Sequence, residues 1–267
     1  MSETFRVLIA DQLSPRAEEI LRAEKGFEVI NRPGIPRGEL LRAMPGVDAL
    51  LVRSATQVDE EVLGAGERLK VVARAGIGVD NVDLGAASRL GILVVNAPDG
   101  NVITTAEHTI ALMFSLARKV PAAVASVKAG KWERNKFVGS ELCSKTLGVI
   151  GLGRIGSNVA QIARGLGMDV LAYDPYISAD AAASRGVKLA ALDEVLAQSD
   201  YITLHVPKTP ETESLIGAPE IAKMKRGVCI INCARGGLVD EAARAAALDS
   251  GQVAGAALDV YPKEPPE

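Results

Sequence analysis

Three closely spaced glycines give this sequence its clearest signal of a ligand-binding site. Gly151, Gly153 and Gly156 follow an apolar run that begins at Thr146. Their spacing is typical of a turn that binds a dinucleotide. The first glycine would permit a tight turn, the second would let a pyrophosphate approach the backbone, and the third would let the next helix pack on the strand. N–H groups at the start of that helix, expected over 154–166, would hold the phosphates. We therefore predict a dinucleotide site, the alternative being a plain glycine-rich turn.

An acidic residue follows the second strand of this motif. Asp174 comes directly after a predicted strand at 169–173, eighteen positions past the last glycine. A carboxylate at this point accepts hydrogen bonds from the ribose hydroxyls of the adenosine and repels a 2′-phosphate. The sequence therefore predicts NAD rather than NADP as the cofactor.

A second group of reactive side chains follows the strands near the C-terminus. Arg235 comes after a predicted strand at 228–233, where a guanidinium can hold a carboxylate with two charge-assisted hydrogen bonds and polarise a carbonyl. Asp259, at the end of the next predicted strand, can accept a hydrogen bond from the nicotinamide carboxamide. Glu264 follows in the same loop, and it is either functional or one of several acids in a proline-rich segment.

Two arginine-bearing loops in the first third of the chain are further candidates. Arg53 and Ser54 follow one predicted strand, and Arg74 and Gly76 follow another. In open α/β sheets, ligands bind outside the carboxyl ends of the strands. We therefore expect ligand loops here, although each arginine taken alone could be a solvated surface charge.

The elements that position these residues alternate between short strands and helices. Besides the run at Thr146, the predicted strands are 5–10, 27–31, 49–52, 70–75, 92–96, 169–173, 187–190, 201–206, 228–233 and 253–260. This alternation predicts an α/β protein with parallel, doubly wound sheets. A turn-rich break at 97–101 predicts two domains, 1–97 and 98–267.

A long apolar helix is expected directly after this break. Thr104 and Glu107 are spaced as in a capping box, which predicts a helix start there and a helix that reaches Ala117. Ile103 and Met113 lie on its apolar stripe, and its other sides are also largely apolar. Such a helix needs cover on most sides, from the same chain or from another subunit.

Composition excludes several classes of protein. The 267 residues include 30 basic and 33 acidic side chains with no block of like charge, so a nucleic-acid partner is not expected. The three cysteines follow no metal-ligand spacing, which favours a reducing compartment, buried thiols and no metal. Neither a membrane span nor a signal segment is found, and we expect a soluble, cytoplasmic protein.

The motifs of this sequence resemble those of a known family, the D-isomer-specific 2-hydroxyacid dehydrogenases. The likeness runs nearly end to end, and it rests on Arg-Ser-Ala-Thr at Arg53, Arg-Ala-Gly-Ile-Gly at Arg74, Gly-Asn at Gly100, Lys-Trp-Glu-Arg at Lys131, Gly-Leu-Gly-Arg-Ile-Gly at Gly151, Asn-Cys-Ala-Arg-Gly-Gly at Asn232 and Ala-Leu-Asp-Val-Tyr-Pro-Lys-Glu-Pro at Ala257. The resemblance implies a Rossmann-type NAD domain and a smaller, flavodoxin-like substrate domain. It also implies NAD-dependent oxidation of 3-phosphoglycerate to 3-phosphohydroxypyruvate, the first step of serine biosynthesis.

The resemblance also implies a role for each matching residue. Arg235 would bind the carboxylate and carbonyl oxygen of the substrate, and Glu264 would raise the pKa of a catalytic histidine. The other substrate contacts would come from Arg53, Ser54, Arg74, Gly76 and Asn101, with Arg134 reaching in from a neighbouring subunit of a homodimer or higher oligomer built through the NAD domain. The cofactor would be lined by the three glycines and by Arg154, Ile155, Asp174, His205, Pro207, Thr212, Ala234 and Asp259.

One departure from the family pattern concerns the catalytic histidine. In the family it lies beyond the glutamate, whereas this sequence ends three residues after Glu264. The two histidines present, His108 in the apolar helix and His205 at a strand end, match positions of structural and cofactor-lining residues. We therefore expect part of a longer enzyme that binds NAD but is nearly inactive by itself.

Two other functions remain open from the sequence. A related hydroxypyruvate or glyoxylate reductase would carry fewer basic groups toward its substrate. A non-catalytic, NAD-sensing protein that resembles a corepressor would carry a peptide groove on the same scaffold.

Overall fold

The computed structural model describes residues 4–266 and divides the chain into two compact units, Met1–Asn101 and Val102–Glu267. The boundary expected between 97 and 98 falls at the start of the turn 97–101, and this turn belongs to the first unit. Each unit has a parallel sheet and a hydrophobic core of its own.

The first unit alternates strictly between strands and helices. Its elements are β1 (Phe5–Ile9), α1 (Pro15–Ala23), β2 (Phe27–Asn31), α2 (Arg37–Ala43), β3 (Ala49–Val52), α3 (Glu60–Gly64), β4 (Val71–Arg74), α4 (Leu84–Arg89) and β5 (Leu93–Asn96), with a short 3₁₀ helix at Met44–Gly46. The five strands are parallel in the order β2-β1-β3-β4-β5. This is the flavodoxin-like order, as predicted.

Two aspartates cap the N-termini of helices α3 and α4 and so fix where the preceding loops end. The Asp59 carboxylate accepts a hydrogen bond from the Val62 N–H at 3.1 Å, and the Asp83 carboxylate accepts one from Ala86 N–H at 2.8 Å. Each bond satisfies a backbone donor that the first helical turn leaves without a partner. The loops after β3 and β4 are therefore closed at their far ends by fixed helix starts.

The second unit begins with two helices and continues as a second parallel sheet. Its elements are α5 (Val102–Ala117), α6 (Val120–Lys128), a 3₁₀ helix at Arg134–Phe137, β6 (Thr146–Ile150), α7 (Arg154–Gly165), β7 (Asp169–Tyr173), α8 (Ala179–Ser184), β8 (Lys188–Leu189), α9 (Leu192–Gln198), β9 (Tyr201–Leu204), α10 (Ala218–Lys223), β10 (Val228–Asn232), α11 (Glu241–Asp249) and β11 (Val253–Leu258). The strand order is β11-β10-β9-β6-β7-β8. This is the Rossmann order: the strands are all parallel, and their sequence order runs outward in opposite directions from the neighbouring strands β6 and β9.

Helices cover both faces of this sheet. On one face, Ile110 and Met113 of α5 pack with Val159 of α7. On the other face, Leu196 of α9 and Ile221 of α10 pack against the central strands. Because both faces are covered, the strands are almost wholly apolar, which is why their positions could be read from the sequence.

The predicted start of the apolar helix is wrong. Helix α5 begins at Val102, so Thr104 and Glu107 lie inside it and form no cap. Ile103, assigned to the apolar stripe, is 56% exposed. By contrast, the Asp240 carboxylate caps α11, since it accepts a hydrogen bond from Ala243 N–H at 2.7 Å.

Within residues 4–266, no helix alone has the length and apolar character needed to cross a membrane. Helices α5 and α6 meet that criterion only when taken together, and they are bent by 63° relative to each other.

Candidate functional site

The glycine turn of the second unit has the backbone shape that the motif predicts. Gly151 has a φ of +93°, and its N–H donates to the Tyr173 carbonyl at 2.8 Å. A Cβ on Gly151 would lie 2.7 Å from the carbonyl oxygen of His205, and one on Gly156 would lie 2.0 Å from that of Gly151. Neither position therefore tolerates a side chain without a shift of the backbone.

The middle glycine faces open space instead. A Cβ on Gly153 would meet nothing within 4 Å. Gly153 is also the N-cap of α7, and no side chain caps that helix. A helix start that presents backbone N–H groups beside an open glycine suits the pyrophosphate of a dinucleotide, because the helix dipole favours an anion there.

The carboxylate of Asp174 is fixed beside this turn. One oxygen accepts the Leu152 N–H at 2.8 Å, and the other accepts the Tyr176 N–H at 2.9 Å. A carboxylate oxygen can accept more than one hydrogen bond, so both retain capacity for ribose hydroxyls. The structure thus brings Asp174 to the glycine turn, where the NAD prediction needs it.

His205 lies on the opposite side of Gly151, after β9. Its N–H donates to the Ile150 carbonyl at 2.7 Å, and its ring Nε2 lies 3.0 Å from the Thr203 hydroxyl. Burial lowers the pKa of His205 to about 4. Its imidazole is therefore neutral near pH 7 and is suited to line a cofactor rather than to hold a proton.

The loop after β9 is closed by a threonine. The Thr212 hydroxyl donates to the Pro207 carbonyl at 2.7 Å and accepts the Thr209 N–H at 2.8 Å. Pro207 and Thr212, both predicted cofactor contacts, are thus neighbours in one ordered loop.

A buried asparagine, which sequence reasoning missed, shapes the Arg235 loop. The Asn232 side chain donates to the Arg235 carbonyl at 2.8 Å and accepts the Ala234 N–H at 3.0 Å. The Arg235 guanidinium is half-buried and donates to the Ala234 carbonyl at 2.6 Å. The position of Asn232 as the last residue of β10 was the available signal, since a polar residue there points to the ligand edge.

Asp259 lies beside this loop and has an unexpected neighbour. Its N–H donates to the Asn232 carbonyl at 3.0 Å, and its carboxylate lies 3.3 Å from Nε2 of His108. His108, expected to have only a structural role in α5, is partly exposed and contacts a predicted cofactor residue. The sequence offered no signal for this pair, because the two residues are far apart along the chain, near the first and last residues of the unit.

Glu264 and Arg134 are more isolated. One carboxylate oxygen of Glu264 accepts the Tyr261 N–H at 3.0 Å, so its contact lies within its own loop. Arg134 is exposed on the 3₁₀ helix Arg134–Phe137. Trp132, in the same segment, is 79% exposed.

The cysteine prediction is partly wrong. Cys233 is buried, and burial raises the pKa of its thiol, whereas Cys143 is exposed. In the described part of the chain no group of three or more His, Cys, Asp or Glu side chains could hold a metal ion.

In the first unit, a buried carboxylate builds the Arg53 loop. One oxygen of Asp11 accepts the backbone N–H groups of Arg53 at 2.6 Å and of Ala55 and Thr56 at 3.2 Å. Its other oxygen accepts the Thr56 hydroxyl at 2.6 Å. The loop that carries Arg53 and the exposed Ser54 is therefore held by Asp11, which the sequence analysis did not identify.

A second buried side chain joins the two arginine loops. Asn81 donates to the Arg53 carbonyl at 2.8 Å and accepts a hydrogen bond from Nε of Arg74 at 3.3 Å. The Arg74 guanidinium lies over Gly76, where an added Cβ would come within 2.2 Å of it. The structure thus brings the predicted loops of this unit together, while Asn101 lies exposed at the end of the unit.

Comparison with known proteins agrees with this geometry. The sequence model of the D-isomer specific 2-hydroxyacid dehydrogenase NAD binding domain matches residues 110–267. D-3-phosphoglycerate dehydrogenase of Archaeoglobus fulgidus is 55% identical to this chain over 98% of the chain and 50% of the relative. The chain spans about half the length of the curated relatives it matches.

Two solved structures show the same fold. The TT0316 protein from Thermus thermophilus matches with a TM-score of 0.90 and 36% identity, over 98% of this chain and 84% of that one. D-lactate dehydrogenase from Aquifex aeolicus, complexed with NAD and lactic acid, matches with a TM-score of 0.84 and 34% identity, over 97% of this chain and 78% of that one. The chain therefore belongs to the D-isomer specific 2-hydroxyacid dehydrogenase family, as its motifs predict, and carries the NAD binding domain of that family.

Proposed function

We propose that this chain is the NAD- and substrate-binding part of a D-3-phosphoglycerate dehydrogenase, which oxidises 3-phosphoglycerate to 3-phosphohydroxypyruvate in serine biosynthesis. The observation that carries the choice of substrate is the Asn81 link between the Arg53 and Arg74 loops. The substrate has two anionic groups, and arginine is the side chain best suited to both phosphate and carboxylate. The 55% identity to a relative of that name supports the same choice.

Each unit, taken by itself, carries residues that the proposal assigns to the substrate. In the first unit they are Arg53, Ser54, Arg74, Gly76 and Asn101. In the second unit they are Arg235 and, from a neighbouring subunit, Arg134. The half-buried guanidinium of Arg235 would bind the substrate carboxylate and polarise the carbonyl that forms.

The cofactor contacts of the proposal all belong to the second unit. The N–H groups at Gly153, Arg154 and Ile155 would hold the pyrophosphate, and Asp174 would accept the ribose hydroxyls. When bound, NAD supplies the acceptor for the hydride. The remaining lining residues would be His205, Pro207, Thr212, Ala234 and Asp259.

We assign the proton acceptor to neither histidine of this chain. The low pKa of His205 makes it a poor base near pH 7, and His108 is paired with Asp259. The charge of Glu264 would raise the pKa of the catalytic histidine that the family resemblance implies.

The proposal includes a homodimer or higher oligomer in the cytoplasm, formed through the NAD domain. Its support is the group of exposed apolar side chains on α5, α6 and the following loop: Phe114, Val120, Val124, Val127 and Trp132. Sedimentation analysis tests this, and a monomer at micromolar concentration would contradict it.

Calorimetric titration of the NAD-loaded chain with 3-phosphoglycerate and with D-glycerate tests the substrate assignment. We expect Arg53→Ala to weaken 3-phosphoglycerate binding about tenfold or more, the worth of one charge-assisted contact, and to change glycerate binding much less. Arg89→Ala is the matched control, because Arg89 is an exposed arginine of the same unit paired with Glu60. An equal loss for both ligands would mean that Arg53 supports structure.

Two results of this titration would favour other functions. Equal affinity of the unaltered chain for both ligands would favour a hydroxypyruvate or glyoxylate reductase. Binding of NAD without either acid would favour an NAD-sensing protein.

A further inference from the structure

An arginine outside the glycine motif contacts the back of the glycine turn. Arg185 directly follows α8, and its Nη1 donates to the Leu152 carbonyl and to the Ser157 hydroxyl, both at 2.8 Å. The Ser157 hydroxyl donates to the same Leu152 carbonyl at 2.9 Å. The three groups form a closed triangle of hydrogen bonds around the Leu152 carbonyl.

The peptide held by this triangle is the one that carries the Gly153 N–H. In a trans peptide the C=O and the N–H lie in one plane and point in opposite directions. Fixing the direction of the Leu152 carbonyl therefore fixes the direction of the Gly153 N–H. A peptide next to glycine would otherwise be free to rotate, because glycine lacks the Cβ that restricts the backbone.

Leu152 is thus held on both sides. Its N–H donates to Asp174 at 2.8 Å, and its carbonyl accepts from Arg185 and Ser157. Its own side chain is fully buried. The first half of the turn is therefore ordered by the residues around it, so a ligand that uses the Gly153 N–H need not supply the ordering free energy.

Arg185 is itself anchored to the helix that follows the turn. Nη1 of Arg164, on α7, donates to the Arg185 carbonyl at 3.2 Å. The same guanidinium lies over Gly186, where an added Cβ would come within 2.0 Å of it. The backbone that carries Arg185 is therefore fixed relative to α7, as a positioning role requires.

We propose that Arg185 is a positioning residue of the dinucleotide site, which holds the Leu152–Gly153 peptide so that the Gly153 N–H faces the cofactor pyrophosphate. This inference rests on NAD binding by the second unit and is independent of which 2-hydroxy acid is the substrate. Arg185 acts through the Leu152 carbonyl, and Ser157 shares that action.

Calorimetric titration of the full chain with NAD and with ADP-ribose tests this role. We expect Arg185→Ala to weaken both ligands about tenfold, because the ligand must then supply the ordering free energy that the Arg185 hydrogen bonds provide, with little change in the unfolding midpoint of the ligand-free protein. Ser157→Ala should cause part of the same loss although it leaves the charge of Arg185 in place. The double variant should lose less than the sum of the two single losses, because both act on one carbonyl.

Two further variants separate positioning from charge and from general structure. Arg185→Lys keeps the charge but lacks the planar guanidinium, so it should bind NAD more tightly than Arg185→Ala and less tightly than the unaltered chain. Arg226→Ala is the matched control: Arg226 is an exposed arginine of the same unit that donates to the Ser250 carbonyl at 3.0 Å, and its loss should leave NAD binding unchanged.

Several outcomes would overturn the proposal. Unchanged NAD affinity in Arg185→Ala would do so, as would full affinity in Arg185→Lys combined with no effect of Ser157→Ala, which would show a charge effect alone. An equal loss in Arg226→Ala would show a general structural effect. Failure of the unaltered chain to bind NAD would refute the cofactor assignment as well, whereas the first three results would leave that assignment intact.

Discussion

The buried imidazole of His205 should resist protonation well below neutral pH. Burial lowers its pKa from 6.5 to about 4, a difference of about 2.5, and a difference of one in pKa corresponds to about 1.4 kcal/mol. The cost of placing a charge on this ring is therefore about 3.5 kcal/mol. Water that reaches the exposed part of the residue would reduce this cost, since His205 is not fully enclosed.

The sign of the pH dependence follows from the direction of this shift. Between about pH 4 and 6.5 the unfolded chain holds a proton on His205 that the folded chain does not, so acid favours unfolding. The free energy of unfolding should be fully retained above pH 6.5 and should have fallen by about 2 kcal/mol at pH 5 through this residue alone. His205→Gln should remove that fall, because glutamine does not titrate.

Two measurements check the prediction. The chain has two histidines, so its NMR spectrum contains two imidazole Cε1–H signals, and His205→Gln assigns them. The His205 signal should titrate with a midpoint near pH 4. Denaturant unfolding of both proteins at pH 7.5 and pH 5 supplies the stability difference. A midpoint at pH 6 or above, or equal acid sensitivity of the two proteins, would refute the reasoning and return His205 as a candidate base.

The other predictions concern the cofactor site and turnover. The chain should bind NAD roughly tenfold or more tightly than NADP, because the fixed Asp174 carboxylate repels a 2′-phosphate. In calorimetric titrations, Asp174→Ala should bring the NAD and NADP affinities closer together. Equal affinities in the unaltered chain would count against this role of Asp174. Gly153→Ala should keep the thermal unfolding midpoint, since its Cβ meets open space, but should weaken NAD binding. Gly156→Ala should lose about 1–3 kcal/mol of stability through overpacking. A destabilised Gly153→Ala beside a fully stable Gly156→Ala would contradict the geometry. The 267-residue chain should bind NAD yet oxidise 3-phosphoglycerate at less than about 1 per second in an NADH assay, and turnover in the range of ordinary enzymes would show that a base within the chain suffices.

The strands and the glycine turn could be predicted because their signals are local. β2, β3 and β7 begin and end at the predicted residues, since each has a β-rich apolar centre with polar residues or turns on both sides. The strand predicted at 253–260 ends at Leu258, because its pairing with β10 stops there. The close backbone approaches at Gly151 and Gly156 follow from the geometry of the turn, so the need for glycine there could also be inferred from spacing.

The residues that hold the site together could not be predicted in the same way. Asp11 bonds to a loop more than forty positions away, and Arg185 bonds to Leu152, which lies 33 positions before it in the chain. His108 meets Asp259 only because α5 packs beside β10 and β11. These contacts depend on the order of strands in the sheet and on where the helices pack. Neither feature can be inferred from the types of the residues that make the contact.

The contact between Gly151 and the His205 carbonyl also bears on the order in which this unit folds. The glycine turn belongs to the early part of the unit, but the carbonyl that encloses it arrives only when β9 pairs with β6. An intermediate that contains β6, α7 and β7 alone would leave that side of the turn unsupported. Pairings between distant segments form late, because their loop-closure entropy is paid before the contacts are made. Recovery of NAD affinity during refolding would therefore mark the closing of the centre of the sheet, and the cofactor would stabilise only molecules that have already passed that step.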